Sequence, residues 1–189
     1  MVKPTERRGF QTPVWGPAAW VFLHTITFSY PDKPSGEMKR TFRNFFKSLC
    51  SILPCVYCRQ SYSKYCMSKG GSLSLTNDVL SSRKSLTTWL YNIHDAVNER
   101  LEKEDRPSYE AVKKMYSSFE AQCSSKKNKV KHGCIVPVNG NRKMRTVIRF
   151  IPRDCRIKGK TLKRLSECIK KLKSYLEDNL QKLVSYERL

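Results

Sequence analysis

The chain has 189 residues, 39% of them hydrophobic, and a net charge of +21. That length suits one compact core with an appendage, or two small domains. The apolar share is too large for wholesale disorder. No run of about 18 uncharged apolar residues occurs, so no membrane-crossing helix is expected. Met1–Phe10 carries Lys3, Arg7 and Arg8 with no apolar stretch behind them, and does not read as a secretory signal.

The charge is uneven. Residues 124–189 hold 19 of the 37 Lys and Arg but 5 of the 16 Asp and Glu, a net of +14 against +7 for residues 1–123. Such a basic segment either keeps the protein soluble or meets something acidic: nucleic acid, a membrane face or an acidic partner. There are eight cysteines: Cys50, Cys55, Cys58, Cys66, Cys123, Cys134, Cys155 and Cys168. In a chain without a signal, such cysteines are more often metal ligands or catalytic groups than structural staples.

In chain order, Trp20, Leu23, His24 and Thr27 share a helical spacing, and Pro17 suits a first turn, so a helix is predicted from near Gly16. Tyr30–Gly36 reads as a loop. A second helix runs from about Glu37, with Phe42, Phe45, Phe46, Leu49 and Leu53 as its apolar stripe. Pro54 either kinks this helix or starts another, because it lacks an N–H donor. Tyr57, Cys58, Tyr62 and Tyr65 continue at helical spacing. After a Ser-rich loop from Gly70, a third helix is predicted over Arg83–Lys103, with Leu86, Trp89, Leu90, Ile93, Val97 and Leu101 on one side. Pro107 can begin a further helix bearing Val112, Met115, Tyr116 and Phe119. Residues 1–123 therefore read as a helical bundle. Residues 124–189 read as a basic extension: a loop to Asn141, a short β segment at Thr146–Ile151, and a long amphipathic helix from Thr161 whose leucines recur every 3 or 4 residues.

Cys55-Val56-Tyr57-Cys58 is the chemically suggestive element. Two cysteines with two residues between them at a helix start can close and reopen a disulfide. Unpaired N–H groups there stabilise a thiolate. Zinc sites and thioredoxin-like folds use the same spacing. A thioredoxin reading needs a strand before the motif, whereas an amphipathic helix precedes it here. A zinc reading would recruit Cys50 and Cys66, at a spacing not common for zinc. His24 follows Trp20 by four residues, and Asn98 follows His94 by four, so each pair shares a helix face. An aromatic–His–Asn lining suits a planar, polar cofactor.

Three segments in order resemble the Erv/ALR sulfhydryl oxidases: Trp15-Gly16-Pro17-Ala18-Ala19-Trp20-Val21-Phe22-Leu23-His24-Thr25, Pro54-Cys55-Val56-Tyr57-Cys58-Arg59-Gln60-Ser61-Tyr62, and Trp89 to Lys103 with His94, Val97 and Asn98. The pattern is most like the versions carried by large DNA viruses. The resemblance implies a mainly α fold, a four-to-five-helix bundle that grips FAD, as a homodimer. It implies cofactor contacts from Gly16, Pro17, Trp20, His24, Tyr62, His94, Val97, Asn98, Lys103 and Tyr116, and no metal. It implies that Cys55 and Cys58 are the catalytic pair, with Cys55 outermost. The activity implied is oxidation of protein dithiols to disulfides, with electrons passing through the flavin to molecular oxygen to give hydrogen peroxide. A viral source would place that activity in the host cytoplasm or virion; otherwise an intracellular setting is expected.

The sequence also departs from the family. Where many members start a structural disulfide three residues before the motif histidine, this chain has Tyr91, and the partner position falls near Ser108. Cys50 and Cys66 flank the active pair as free thiols, a local disulfide or a relay. Cys123 with Cys134, or Cys155 with Cys168, could form a distal shuttle or structural bridge. The rival reading is a basic binding protein whose cysteines hold zinc and whose last third contacts nucleic acid.

Overall fold

The computed structural model describes residues 9–124 and 133–138, all within one compact unit spanning residues 1–144. Its elements are α1 (Thr12–Phe28), α2 (Gly36–Ile52), α3 (Val56–Cys66), α4 (Arg83–Arg100), α5 (Tyr109–Ser117), β1 (Ala121–Ser124) and β2 (Gly133–Pro137). The mainly α expectation holds.

Local chemistry sets the helix boundaries. Ser35, Ser82 and Ser108 each cap a helix by accepting a backbone N–H, from Met38, Ser85 and Ala111. Such caps stabilise a helix by about 1 kcal/mol. Ser82 and Ser85 close a reciprocal capping box at the head of α4. The first helix begins at Thr12, a turn before the predicted start. Pro13 occupies its first turn, where a missing N–H costs nothing, and Pro17 lies inside the helix. Pro54 separates α2 from α3, so the region is two helices. The last bundle helix starts at Tyr109 because Ser108, not Pro107, is its cap.

The expected end of α4 at Lys103 is corrected to Arg100. Glu102 stands at φ +51. Its N–H donates to the Glu99 carbonyl at 2.9 Å, and the Lys103 N–H reaches back to the Asn98 carbonyl at 3.0 Å. This pair of bonds is a Schellman stop, made with glutamate where glycine is usual. Part of the expected loop after Ser124 is strand. β1 and β2 pair antiparallel, with Gln122 opposite Val136, Cys123 opposite Cys134, and an irregularity between Gln122 and Cys123. The expected β segment at 146–151, the long helix from Thr161, Cys155 and Cys168 lie outside the described residues.

The core lies between α2, α3, α4 and the loop before α4. Tyr30, Phe46, Leu80, Leu86, Leu90 and Ile93 are fully enclosed. Phe46 and Trp89 meet edge to face at 5.1 Å, a favoured aromatic geometry. The polar tips of two core aromatics are paired: Tyr30 Oη donates to the Leu80 carbonyl at 3.0 Å, and Trp89 Nε1 to the Leu73 carbonyl at 2.7 Å. Arg43 donates to the Leu75 carbonyl and to Asn77. These bonds tie the Ser-rich loop to the bundle and hold α4 in place. α1 packs on α4 and α5, and α2 on α3.

Candidate active site

Cys55 is the N-cap of α3. Its Sγ takes the place of a serine oxygen, accepting the Cys58 backbone N–H at 3.2 Å. Two further bonds fix the turn before it. Arg59 donates to the Leu53 carbonyl at 2.6 Å, and the Phe10 N–H donates to the Pro54 carbonyl at 3.0 Å. Gly9 passes so close that a Cβ there would sit 2.7 Å from the Pro54 oxygen. Only glycine fits that approach without movement.

The two sulfurs are unequal. Burial disfavours the Cys55 thiolate, but hydrogen bonds from Cys58, Thr12 and the Tyr57 backbone outweigh it and hold its pKa below the ordinary thiol value. Burial, then the bond to Cys55 and the Cys55 charge, push Cys58 up to about 11. In the reduced pair Cys55 therefore carries the thiolate, as its place at a helix N-terminus favours. Arg100, in the last turn of α4, hydrogen-bonds Ser61, and its charge favours the Cys58 thiolate.

Asn98, two residues earlier on α4, belongs to a cleft of about 230 Å³ between α1, α4, α5 and the 101–108 loop. Predicted residues His24, His94, Asn98, Lys103 and Tyr116 all line it. Trp20 stacks on His94 with ring centres 3.9 Å apart and planes 7° from parallel. His24 Nε2 and His94 Nδ1 share a hydrogen bond of 3.0 Å. Tyr116 stacks near His24, with ring centres 5.1 Å apart. Burial, then His94, lowers the pKa of His24 to about 4. Burial, then Lys103, lowers His94 to about 4 against a weaker pull from Asp95. Both rings are neutral near neutral pH. His24 Nδ1 and Asn98 Oδ1 are buried without a hydrogen-bond partner. Such orphans cost about 1–3 kcal/mol each unless a water or a ligand meets them.

Other predicted contacts fall elsewhere. Tyr62 is a core residue whose hydroxyl donates to the Phe46 carbonyl at 3.0 Å. Gly16 is buried within α1, Pro17 is exposed, and Val97 is half-buried on α4. None of the four lines the cleft. Sequence reasoning missed Tyr91 and Asp95, which do. Both lie within one helical turn of His94 and Asn98, so extending that face would have found them. Tyr91 Oη donates to the Pro107 carbonyl at 3.0 Å, and its ring meets Tyr109 edge-on at 5.6 Å. Thus where the resemblance led one to look for a disulfide, a hydrogen bond and a ring contact join α4 to the start of α5. Arg106 adds a two-pronged ion pair to Asp95, at 2.8 and 2.6 Å, which fastens the 101–108 loop.

Cys50, Cys55, Cys58 and Cys66 are free thiols. Burial raises Cys66 to about 11, and Cys50 and Tyr62 act on its ionisation. Cys134 is disulfide-bonded, and Cys123 is its neighbour across the β1–β2 ladder. Among the described residues, no group of three or more His, Cys, Asp or Glu is placed to hold a metal ion. No described helix is long and apolar enough to cross a membrane.

The model of the Erv1 / Alr family matches residues 17–117. A protein of Acanthamoeba polyphaga mimivirus that carries the name of an FAD-linked sulfhydryl oxidase is 38% identical over 84 residues, covering 44% of this chain and 56% of its own length. One of Invertebrate iridescent virus 6, with a name of the same type, is 30% identical over 104 residues, covering 53% of this chain and 91% of that one. The chain thus spans little more than half of some curated relatives it matches. Among solved structures, the yeast Erv1 core shares the fold, with TM-score 0.50 and 23% identity over 61% of this chain and 96% of that one.

Proposed function

The chain belongs to the Erv1/Alr family, and from that premise we propose that it is an FAD-linked thiol oxidase that makes disulfides in protein substrates. The observation that carries the reading is the pair of orphaned buried atoms, His24 Nδ1 and Asn98 Oδ1, in a ring-lined cleft whose Asn98 lies two residues along α4 from Arg100, which contacts the Cys55–Cys58 helix at Ser61. These residues fit a flavin nucleotide: stacked rings for a planar group, unmet polar atoms for its hydrogen-bonding edges, and the Lys103 cation for a phosphate. Trp20, His24, His94, Asn98, Lys103 and Tyr116 would hold it. The cleft is smaller than the roughly 300–1,000 Å³ that buries a whole drug-sized ligand, so it would receive one part of the dinucleotide. When bound, FAD supplies a two-electron acceptor that molecular oxygen reoxidises, giving hydrogen peroxide.

The protein's own groups carry the thiol chemistry. A substrate thiolate attacks Cys55 of the oxidised pair, the less enclosed of the two sulfurs, and Cys58 leaves as a thiolate. A second substrate thiolate attacks the first substrate sulfur, and the substrate departs as a disulfide. Cys55 departs as the stabilised thiolate, held by the Cys58 N–H. His24 and His94, both neutral, present hydrogen-bonding edges without adding charge to the cleft.

The viral relatives support a role in disulfide formation in viral proteins, in host cytoplasm or virion. An exposed apolar stripe on α1, Val14, Val21 and Phe22, supports a homodimer. The bridge at Cys134 supports a shuttle beyond the active pair, and the charge of residues 124–189 supports an acidic partner or nucleic acid. The decisive experiment is a visible spectrum and a dithiol-dependent oxygen-uptake assay on wild type, Cys55→Ser and Cys58→Ser. A bound flavin in all three with uptake only in wild type is expected. Colourless protein carrying stoichiometric zinc refutes the reading.

A further inference from the structure

Attack on Cys55 makes Cys58 the leaving sulfur. Yet burial and Cys55 together hold the Cys58 thiol protonated, at about 11. A sulfur leaves faster when its thiolate is better stabilised. Two neighbours act in that direction: the Arg100 charge and the Thr12 hydroxyl. The Arg100 side chain is solvent-exposed, so salt screens its contribution. Thr12 acts at short range, with Oγ1 4.0 Å from Cys58 Sγ.

Thr12 is delivered there by a fastened piece of chain. The Phe10 N–H bonds the Pro54 carbonyl, one residue before Cys55. Trp15 Nε1 donates to the Phe10 carbonyl at 3.2 Å. The Gln11 carbonyl accepts the Val14 N–H at 2.9 Å, which opens α1. Gly9 makes the approach to Pro54 that any side chain would block. The segment from Gly9 to Thr12 is therefore a strap across the turn that holds Cys55, with Thr12 as its chemically active end.

We propose that Thr12 is a further catalytic residue, whose hydroxyl donates a hydrogen bond to the Cys58 thiolate as that sulfur leaves. The proposal rests on the thiol-oxidase reading. In the step, the substrate sulfur forms a bond to Cys55 Sγ. The Cys55–Cys58 bond breaks with its electron pair going to Cys58 Sγ, and the Thr12 O–H turns towards that charge. No proton changes owner. When the second substrate thiolate displaces Cys55, the substrate dithiol has lost two electrons and the pair has gained them.

The test uses the full chain carrying Cys55→Ser, so that Cys58 alone of the pair titrates, with Thr12, Thr12→Val or Thr12→Ser. Reduced protein is alkylated with iodoacetamide over a pH series, and Cys58 is followed by peptide mass spectrometry. A hydrogen bond to a charged sulfur predicts that Thr12→Val slows Cys58 alkylation about 3- to 10-fold below its pKa. Thr12→Ser, which keeps the hydroxyl, restores it. A Thr12→Val profile that overlays that of Thr12, or a Thr12→Ser profile that follows Val, overturns the proposal. Neither readout needs cofactor or turnover. Failure of the oxidase reading shows separately, as wild-type protein that takes up no oxygen with dithiol.

Discussion

Acid should loosen this bundle well before its carboxylates titrate. His24 and His94 are held at about 4 in the folded chain, against 6.5 when free. Their folded pKa is depressed, so between these values the unfolded chain binds more protons. Stability is then full above about pH 6.5 and falls as pH drops towards 4. For His24 the loss between about pH 7 and about pH 5 is about 2 kcal/mol. His94 is only half-buried, so it adds less. Lys103, Asp95, Asp105 and Tyr116 face the same cleft. Lys103 deepens the effect on His94 and Asp95 opposes it. Against a typical domain stability of about 5–15 kcal/mol, the loss is large enough to measure. Urea unfolding at the two pH values, in wild type, His24→Gln and His94→Gln, reads it out. Each variant should flatten the pH dependence, His24→Gln more. A wild-type midpoint that does not move, or equal shifts in all three proteins, refutes the reasoning.

Glu102→Gly should stabilise the fold by about 1 kcal/mol, because glycine adopts the left-handed conformation at the end of α4 without penalty; thermal unfolding should show a higher midpoint. With a small-molecule disulfide supplied, reduced Cys58→Ser should form a mixed disulfide on Cys55, releasing the other half as a thiol, faster than reduced Cys55→Ser does on Cys58, and mass spectrometry of the adducts separates them. Gly9→Ala should displace the strap from Pro54 and raise the pKa of Cys55, visible as slower alkylation of the reduced wild-type pair near neutral pH. Leu90→Ala, at a fully enclosed core position, should cost about 2–5 kcal/mol in urea unfolding while leaving the cysteine reactivity of the folded protein unchanged.

Helix positions were legible because their signals are local. The apolar stripes of α2 and α4, and Pro54 between α2 and α3, are written within a few turns of sequence, whereas the Ser caps of α2, α4 and α5 went unread. The cleft's central set was legible too, since His24 with Trp20 and His94 with Asn98 each need only a four-residue spacing. What escaped depends on contacts between distant segments. Tyr62 reads as a site residue beside Cys58, but its hydroxyl is taken by the Phe46 carbonyl on another helix. The pairing of β1 with β2 joins residues across an eight-residue gap with no strong turn signal. Thr12 gave no sign of its role, because its partner is 46 residues away.

The places where local rules fail are also where the chemistry gathers. A cysteine caps α3 where Ser caps the other three capped helices. A glutamate stands at φ +51 where glycine is usual, and the turn it makes sets Lys103 beside Asn98. His24 is buried and His94 half-buried, both without charge, and two polar atoms are buried without partners. Each feature costs stability, and the serine-capped helices and aromatic core offset that cost elsewhere. Packing needs none of them. A serine at position 55 would cap α3 as well, and a glycine at 102 would end α4 with less strain. What the cysteine adds is a thiolate held by the N–H of its own redox partner. What the left-handed turn adds is a cation, Lys103, on the cleft wall that already bears the unsatisfied Asn98 amide oxygen. The departures therefore share one geometric consequence: α4 carries the polar wall of the cleft and, two residues beyond Asn98, the Arg100 charge that acts on Cys58, so one helix bears on both.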